Sequence, residues 1–283
     1  MMRRDSYGTD DHQQHKGGRR CSWGMEAADR NREGEVISVE HTGKIYVVGI
    51  GPGDRAMMTG KAQEALELSD VIVGYKAYIE LVRADYPDKE FYENGMRGEI
   101  ERCEKCVEFA REGKNAALIC SGDAGVYGMA SPLLEIAERE GFTDVEVIPG
   151  VTAALSGAAL LGAPLSHDFC VISLSDLMTP WELIEKRLRC AAEGDFCIAL
   201  YNPASRKRAD YLQKACGILA RTLPEDTPCG YVRNIGRDGC ETIVCSLKEL
   251  SQVNVDMFVT VFIGNSRTRA VDGKLITPRG YRI

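Results

Sequence analysis

The sequence predicts an α/β fold made of two successive sets of strands and helices, and three observations carry that prediction. Short β-branched apolar runs alternate with helix-length patterned segments, turns rich in glycine or proline close several of those runs, and a second alternating set starts after Pro164. Alternation of this kind implies a mostly parallel sheet. A chain of 283 residues can hold two domains of ordinary size. The expected divisions are 1–42, 44–163 and 164–283.

Residues 1–42 mix both charge signs with Gly, Gln, Ser and Asn and show no apolar periodicity, so a disordered tail is expected there. Met25 is an alternative start, and no stretch resembles the apolar core of a secretory signal. Residues 44–50, KIYVVGI, form the first strand and run into Gly51-Pro52-Gly53-Asp54. A helix over 59–69, a strand over 71–74 and a helix opening at Tyr75-Lys76 follow. Residues 115–120 read as a strand, Ser121 to Gly128 as a glycine-rich turn, and 129–140 as a helix. Residues 147–166 carry no charge, but Pro149, Gly150, Gly157, Gly162 and Pro164 argue against a membrane span. They fit better as a strand ending at Ile148, a Pro149-Gly150 turn and a small-residue helix over about 151–161. The second set comprises strands over 169–174, 196–201, 227–233 and 258–263, with helices over 180–192 and 207–221. Thr179-Pro180-Trp181-Glu182 fits a capping box with proline at the first helical position.

Composition narrows the function. A net charge of −7 argues against general nucleic-acid binding, which needs a basic footprint. The 11 cysteines are scattered through the chain, so reduced thiols in the cytoplasm are expected. Cys103 and Cys106 form a single C-x-x-C inside a helical pattern with no second pair and no nearby histidine, which leaves a zinc site half its ligands. Three histidines (His12, His15, His41) precede the folded body, and only His167 lies within it. No metal site is expected.

Two glycine-rich turns and one helix start remain as binding elements. Ser121-Gly122-Asp123-Ala124-Gly125-Val126-Tyr127-Gly128 has three glycines that allow close backbone approach and positive φ, with one acid and one phenol between them. That composition suits a small organic cofactor with a ribose. The Gly51–Asp54 turn departs from a dinucleotide fingerprint, because the third glycine would fall on Asp54 and Pro52 stiffens the loop. NAD therefore ranks below other ligands. The helix starting near Thr152 and Ala153 would offer N–H groups to a carboxylate or to ribose hydroxyls, although Thr152 could equally be an ordinary cap. The basic turn Arg206-Lys207-Arg208 follows a strand at its carboxyl end, where open α/β sheets bind ligands. It could equally be a solvated helix start. Arg233 and Arg237 follow another strand in the same way.

In order and spacing, Val47 to Asp54, Ser121 to Gly128 and Pro149-Gly150-Val151-Thr152-Ala153 resemble the tetrapyrrole methylases, which use S-adenosylmethionine. The resemblance runs from about residue 44 to the end. Gly74-Tyr75-Lys76, Gly95-Met96-Arg97 with the following Glu99 to Cys103, Ser173 to Trp181, and Tyr201 to Arg208 are similar to the branch that methylates C17 of precorrin-3B. Ala124 fits as well, since other branches commonly place proline there.

The resemblance implies two α/β domains with the cofactor in the cleft between them, usually as a homodimer. It implies methyl transfer from S-adenosylmethionine to C17 of precorrin-3B or cobalt-precorrin-3, with ring contraction, in cobalamin biosynthesis. Carried over by position, Pro52, Ser121, Gly122, Asp123, Val126, Thr152, Ala153, Tyr201 and Asn202 would contact the cofactor. Gly51, Gly53 and Asp54 would face the macrocycle. The macrocycle's carboxylates need cationic partners, and Arg97, Arg206, Lys207, Arg208 and Arg233 are the candidates. No cysteine-rich C-terminal extension is present, so an iron–sulfur cluster is not expected. No nucleophile–base pair stands out, consistent with catalysis by positioning, which can supply about 7–11 kcal/mol. A sister methylase acting at another ring carbon, a non-catalytic tetrapyrrole-binding protein and an NAD-dependent oxidoreductase are the rival readings.

Overall fold

The computed structural model describes residues 42–205 and 208–282. The expectations for the N-terminal tail, Arg206 and Lys207 therefore fall outside the described residues. The first sheet comprises β1 (Ile45–Gly49), β2 (Val71–Tyr75), β3 (Glu90–Asn94), β4 (Ala116–Cys120) and β5 (Val145–Ile148). Its order is β3-β2-β4-β1-β5 and every pairing is parallel. Helices α1 (Gly60–Leu68), α2 (Lys76–Val82), α3 (Glu99–Arg111) and α4 (Ala130–Arg139) cover both faces. The two-residue period of the strands decides which face each side chain joins. Ile45, Val47, Val71 and Leu118 pack with Cys103, Val107 and Leu133 from α3 and α4. Tyr46, Val48, Ile72 and Ile119 pack with Leu66 and Ile79 from α1 and α2. A sheet buried on both sides needs unbroken apolar runs, and KIYVVGI is such a run.

The second half begins with α5 (Ala153–Leu161), β6 (Gly162–Ala163), β7 (Phe169–Ser173), α6 (Trp181–Glu193), β8 (Cys197–Tyr201) and α7 (Tyr211–Leu219). It ends with β9 (Pro228–Arg233), β10 (Glu241–Ser246), α8 (Leu247–Leu250), β11 (Val259–Ile263), β12 (Arg269–Val271) and β13 (Lys274–Ile276). The second sheet has the order β10-β9-β11-β8-β7. Here the expectation of a mostly parallel sheet needs correction. Only β7 and β8 pair in parallel, whereas β8–β11, β11–β9 and β9–β10 are antiparallel. The cause is local: residues 234–240 form a short turn that folds β10 straight back on β9, leaving no room for a crossover helix.

One face of this sheet packs on α6, α7 and α8. The other carries α5, whose Ala154, Ala158 and Leu161 meet Ala199, Val232 and Phe262. Although it precedes residue 164, α5 thus packs against the second sheet. Its small residues allow the approach, since a Cβ at Gly157 would stand 2.8 Å from the Phe262 ring. Thr59 caps α1 by accepting from the Ala62 N–H. The capping box expected at Thr179–Glu182 does not form: Pro180 holds the cap position of α6 and no side chain bonds there. The helix after the basic run also starts later than expected, at Tyr211 behind Asp210.

Candidate active site

The carboxyl ends of β1, β4 and β5 come together with almost nothing but backbone between them. Gly51 and Gly122 exchange two hydrogen bonds, Gly51 N–H to Gly122 O at 3.0 Å and Gly122 N–H to Gly51 O at 2.7 Å. A Cβ on Gly150 would lie 2.1 Å from Gly122 O and 2.5 Å from Gly49 O. One on Gly49 would lie 2.7 Å from Gly150 N. These separations are below any real contact, so glycine is required at both positions for the three loops to touch. Gly122 has a different reason. Its φ is +75°, and the nearest atoms to a Cβ there are 3.6 Å away at Thr152 and 3.7 Å at the Ala153 nitrogen. Backbone conformation disfavours a side chain at Gly122, and a small open cradle lies beside it.

Asp123 holds this junction together. Its Oδ1 accepts from the Gly125 and Val126 N–H groups and its Oδ2 from the Gly150 N–H. Both carboxylate oxygens are thus engaged in fixing the loops, and Asp123 sits behind the wall of the cleft.

Two tyrosines meet at the seam of the halves: Tyr127 crosses it, and Tyr201 ties β8 to the start of α5. The Tyr201 hydroxyl at the end of β8 accepts from the Ala154 N–H and shares a 2.6 Å hydrogen bond with Thr152 Oγ1. Burial pushes its phenol up from the ordinary value, while the Thr152 and Ala154 hydrogen bonds work the other way. It is neutral at physiological pH. The Tyr127 hydroxyl donates to Val171 O and accepts from the Ser173 N–H of β7, and the two rings lie 5.5 Å apart. Asn202, at a positive φ of 53°, donates to Ser173 Oγ.

A cleft of about 170 Å³ opens between these elements. Of the expected cofactor positions, Pro52, Ser121, Gly122, Val126, Thr152, Ala153, Tyr201 and Asn202 line it. Sequence reasoning missed most of the opposite wall: Tyr78 from α2, Asn234, Ile235 and Arg237 from the β9–β10 turn, and Met257, Phe258 and Thr260 around the start of β11. Arg237 had a signal, a cation just past a strand. Asn234 and Ile235 had none, because β10 and the antiparallel reversal were not legible, and nothing in residue type turned Tyr78, Met257, Phe258 or Thr260 toward a cleft.

The expected macrocycle residues are less concentrated. Gly51 and Gly53 lie in the turn beside the cleft, and Asp54 is exposed, its carboxylate accepting from the Ala56 N–H to start a short 3-10 turn at Arg55–Met57. Arg97 is exposed after β3, at a φ of 72°. The buried Arg102 steadies that turn by donating to Asn94 and to Gly95 O. Arg208 is bound internally, to Ser205 Oγ, Ser175 Oγ and Asp176. Arg233 pairs with Asp256 and, at 4.0 Å, with Glu241. Cys103 and Cys106 are core residues, and burial holds the Cys103 thiol up at about 12. Among the described residues no cluster of His, Cys, Asp or Glu is placed to hold a metal, and no helix is long and apolar enough to cross a membrane.

Comparison with known proteins gives this geometry a family. A model of the tetrapyrrole (corrin/porphyrin) methylases matches residues 44–251. The chain is 49% identical over 240 residues to a probable cobalt-factor III C(17)-methyltransferase of Salmonella typhimurium, an alignment covering 84% of this chain and 100% of that protein. It is 39% identical over 249 residues to the precorrin-3B C(17)-methyltransferase of a Sinorhizobium species, covering 85% of this chain and 98% of that one. Among solved structures, the crystal structure of the methyltransferase CobJ matches with a TM-score of 0.78 at 36% identity, covering 84% of this chain and 100% of that chain. The chain belongs to the tetrapyrrole (corrin/porphyrin) methylases.

Proposed function

We propose that the protein is an S-adenosylmethionine-dependent C-methyltransferase that methylates C17 of cobalt-precorrin-3 or precorrin-3B, with ring contraction, in cobalamin biosynthesis. The observation that carries this reading is the meeting of three backbone loops, from β1, β4 and β5, at the foot of a cleft whose far wall is made mostly of second-half side chains. The residues fit the cofactor. Gly122 leaves a cradle no side chain fills, and the Thr152 and Ala153 N–H groups at the start of α5 have no partner among the described residues. Those donors suit a carboxylate or ribose hydroxyls.

S-adenosylmethionine, when bound, supplies a methyl group already activated on a sulfonium. The chain's part is to hold both ligands and exclude water, which agrees with a cleft that has no paired carboxylates and no histidine. Tyr201, bonded to Thr152 and Ala154, holds the start of α5 and its free N–H groups in place at the cleft. Higher identity to the cobalt-factor III enzyme than to the precorrin-3B enzyme supports the cobalt-bound macrocycle as the substrate. We place the enzyme in the cytoplasm, as its scattered cysteines suggest, and as a homodimer, as the resemblance implies. Incubation with S-adenosylmethionine and either the cobalt-bound or the metal-free macrocycle, followed by mass spectrometry, tests the reading. A product heavier by one methyl group, formed faster from the cobalt form, is expected. No mass gain with either substrate would overturn it.

A further inference from the structure

Arg237 is the only charged side chain among the described residues that line the cleft. It stands on the β9–β10 turn, where Asn234 and Gly236 both take positive φ. That turn presses on the first-half loop. A Cβ on Gly236 would lie 3.1 Å from Asp54 N, and one on Gly53 would lie 2.6 Å from the Arg237 Cγ. The arginine stem is therefore seated against Gly53, and its head reaches across the cleft. Nε donates to Pro52 O at 3.1 Å and Nη2 donates to Ser121 Oγ at 3.0 Å. The rings of Tyr78 and Phe258 lie 6.0 and 5.8 Å from the guanidinium carbon.

Among the described arginines that are withdrawn from solvent, this one is distinguished by the absence of an anion. Arg208 has Asp176, Arg233 has Asp256 and the buried Arg102 has Glu99. Arg237 makes no ion pair among the described residues, and both of its hydrogen bonds go to neutral oxygens. A guanidinium has five N–H donors in a planar fork that matches a carboxylate. A cation half-withdrawn from water between two aromatic rings without a counter-charge is costly to hold, unless a ligand neutralises it. The cleft is also smaller than the roughly 300–1,000 Å³ of most small-molecule sites, and the Arg237 side chain spans it.

We propose that Arg237 is the carboxylate-recognising residue of the cleft, exchanging its neutral contacts with Pro52 and Ser121 for a carboxylate of the bound ligand. The proposal rests on the methyltransferase reading, because both ligands of that reading carry carboxylates: the macrocycle on its side chains and the cofactor on its amino-acid end.

The test is calorimetric binding to the parent, Arg237→Gln and Arg237→Lys, with thermal melting to show that each is folded. The probes are S-adenosylhomocysteine, methylthioadenosine (which lacks the amino-acid end) and the cobalt-bound macrocycle. Arg237→Gln should raise the Kd of the ligand whose carboxylate it holds roughly tenfold or more, and Arg237→Lys should lose less. A loss for S-adenosylhomocysteine with methylthioadenosine unchanged assigns the cofactor's carboxylate. A loss for the macrocycle alone assigns the macrocycle's. Parental Kd values for every probe in folded variants would overturn the proposal, and so would equal losses for S-adenosylhomocysteine and methylthioadenosine, which would mark a merely structural role. If the parent bound neither cofactor product nor macrocycle, the methyltransferase reading itself would fall, a result distinct from either of these.

Discussion

The two halves meet at one cleft but build their sides of it from different materials. The first half contributes backbone: Gly49, Gly51, Gly122 and Gly150 bring three strand ends into contact, and Asp123 ties their N–H groups together. The second half contributes side chains: Tyr201, Asn202, Arg237 and Phe258 project from strand ends and one turn. An all-parallel sheet aligns every carboxyl end on one edge, so its loops can pack on each other only if they are thin. A largely antiparallel sheet places strand starts and strand ends alternately along its edge. It offers fewer converging loops there and more reach for side chains. In the proposed function, binding by shape falls to the first half and recognition of charge to the second.

Mutations can separate these contributions. The largest effect is expected for Gly150→Ala, since the added methyl would need to occupy space 2.1 Å from Gly122 O. Overpacking of this kind costs about 1–3 kcal/mol, more where backbone cannot shift. Chemical denaturation should show that loss, and S-adenosylhomocysteine binding should weaken with it. Stability unchanged from the parent would mean that the loops are not in rigid contact. A smaller effect is expected on the other side. Tyr201→Phe leaves the Ala154 N–H and Thr152 Oγ1 without their shared partner, a loss of about 1 kcal/mol, because both groups border the cleft and can bind water. Its Tm should fall modestly while the KM for the cofactor rises. A Tyr201→Phe variant more destabilised than Gly150→Ala would reverse the contrast between the halves.

The smallest effect lies away from the cleft, at the amino end of the first sheet. Glu146 on β5 pairs with Lys44 at 2.8 Å and with Lys61 at 2.5 Å. The hydrogen bond from Lys44 and then that from Lys61 hold its carboxyl below the usual 4.5. A depressed carboxylate stabilises the fold at every pH above its ordinary value, and that contribution is lost as pH falls through the lowered one. Glu146→Gln should therefore cost no more than about 1 kcal/mol at pH 7 and nothing at the acid end. Denaturation midpoints across the acid range check this: parent and variant should converge below pH 4.5.

How much the sequence discloses also differs between the halves. Strands buried on both faces, such as β1 and β4, announce themselves as unbroken apolar runs. The strands of the two five-stranded sheets that escaped, β3 and β10, are the outermost strands of those sheets. Glu90, Glu93 and Asn94 in β3 and Glu241 and Thr242 in β10 mix polar groups into the run, as a half-exposed edge allows. Missing β10 hid the reversal that makes the second sheet largely antiparallel, and with it the way that reversal seats Arg237 in the cleft. The glycine-rich turns were legible because close backbone approach leaves a mark in residue type. The internal engagement of Arg208 and Arg233 was not, since their partners Asp176 and Asp256 lie 32 and 23 residues away in sequence. Three cations in a row marked a basic turn but could not say which of them faces a ligand.

The proposed seat of the cofactor is the junction of the β1, β4 and β5 loops. Its most direct test is calorimetric titration of S-adenosylhomocysteine into the parent and into Gly122→Val, with far-UV circular dichroism on both. At a φ of +75° a branched side chain is strained by about 1–2 kcal/mol and would fill the cradle beside Thr152 and Ala153. Binding to the parent, and none to a variant that keeps the parental spectrum, is expected. Parental affinity in a folded Gly122→Val protein would place the cofactor elsewhere and contradict it.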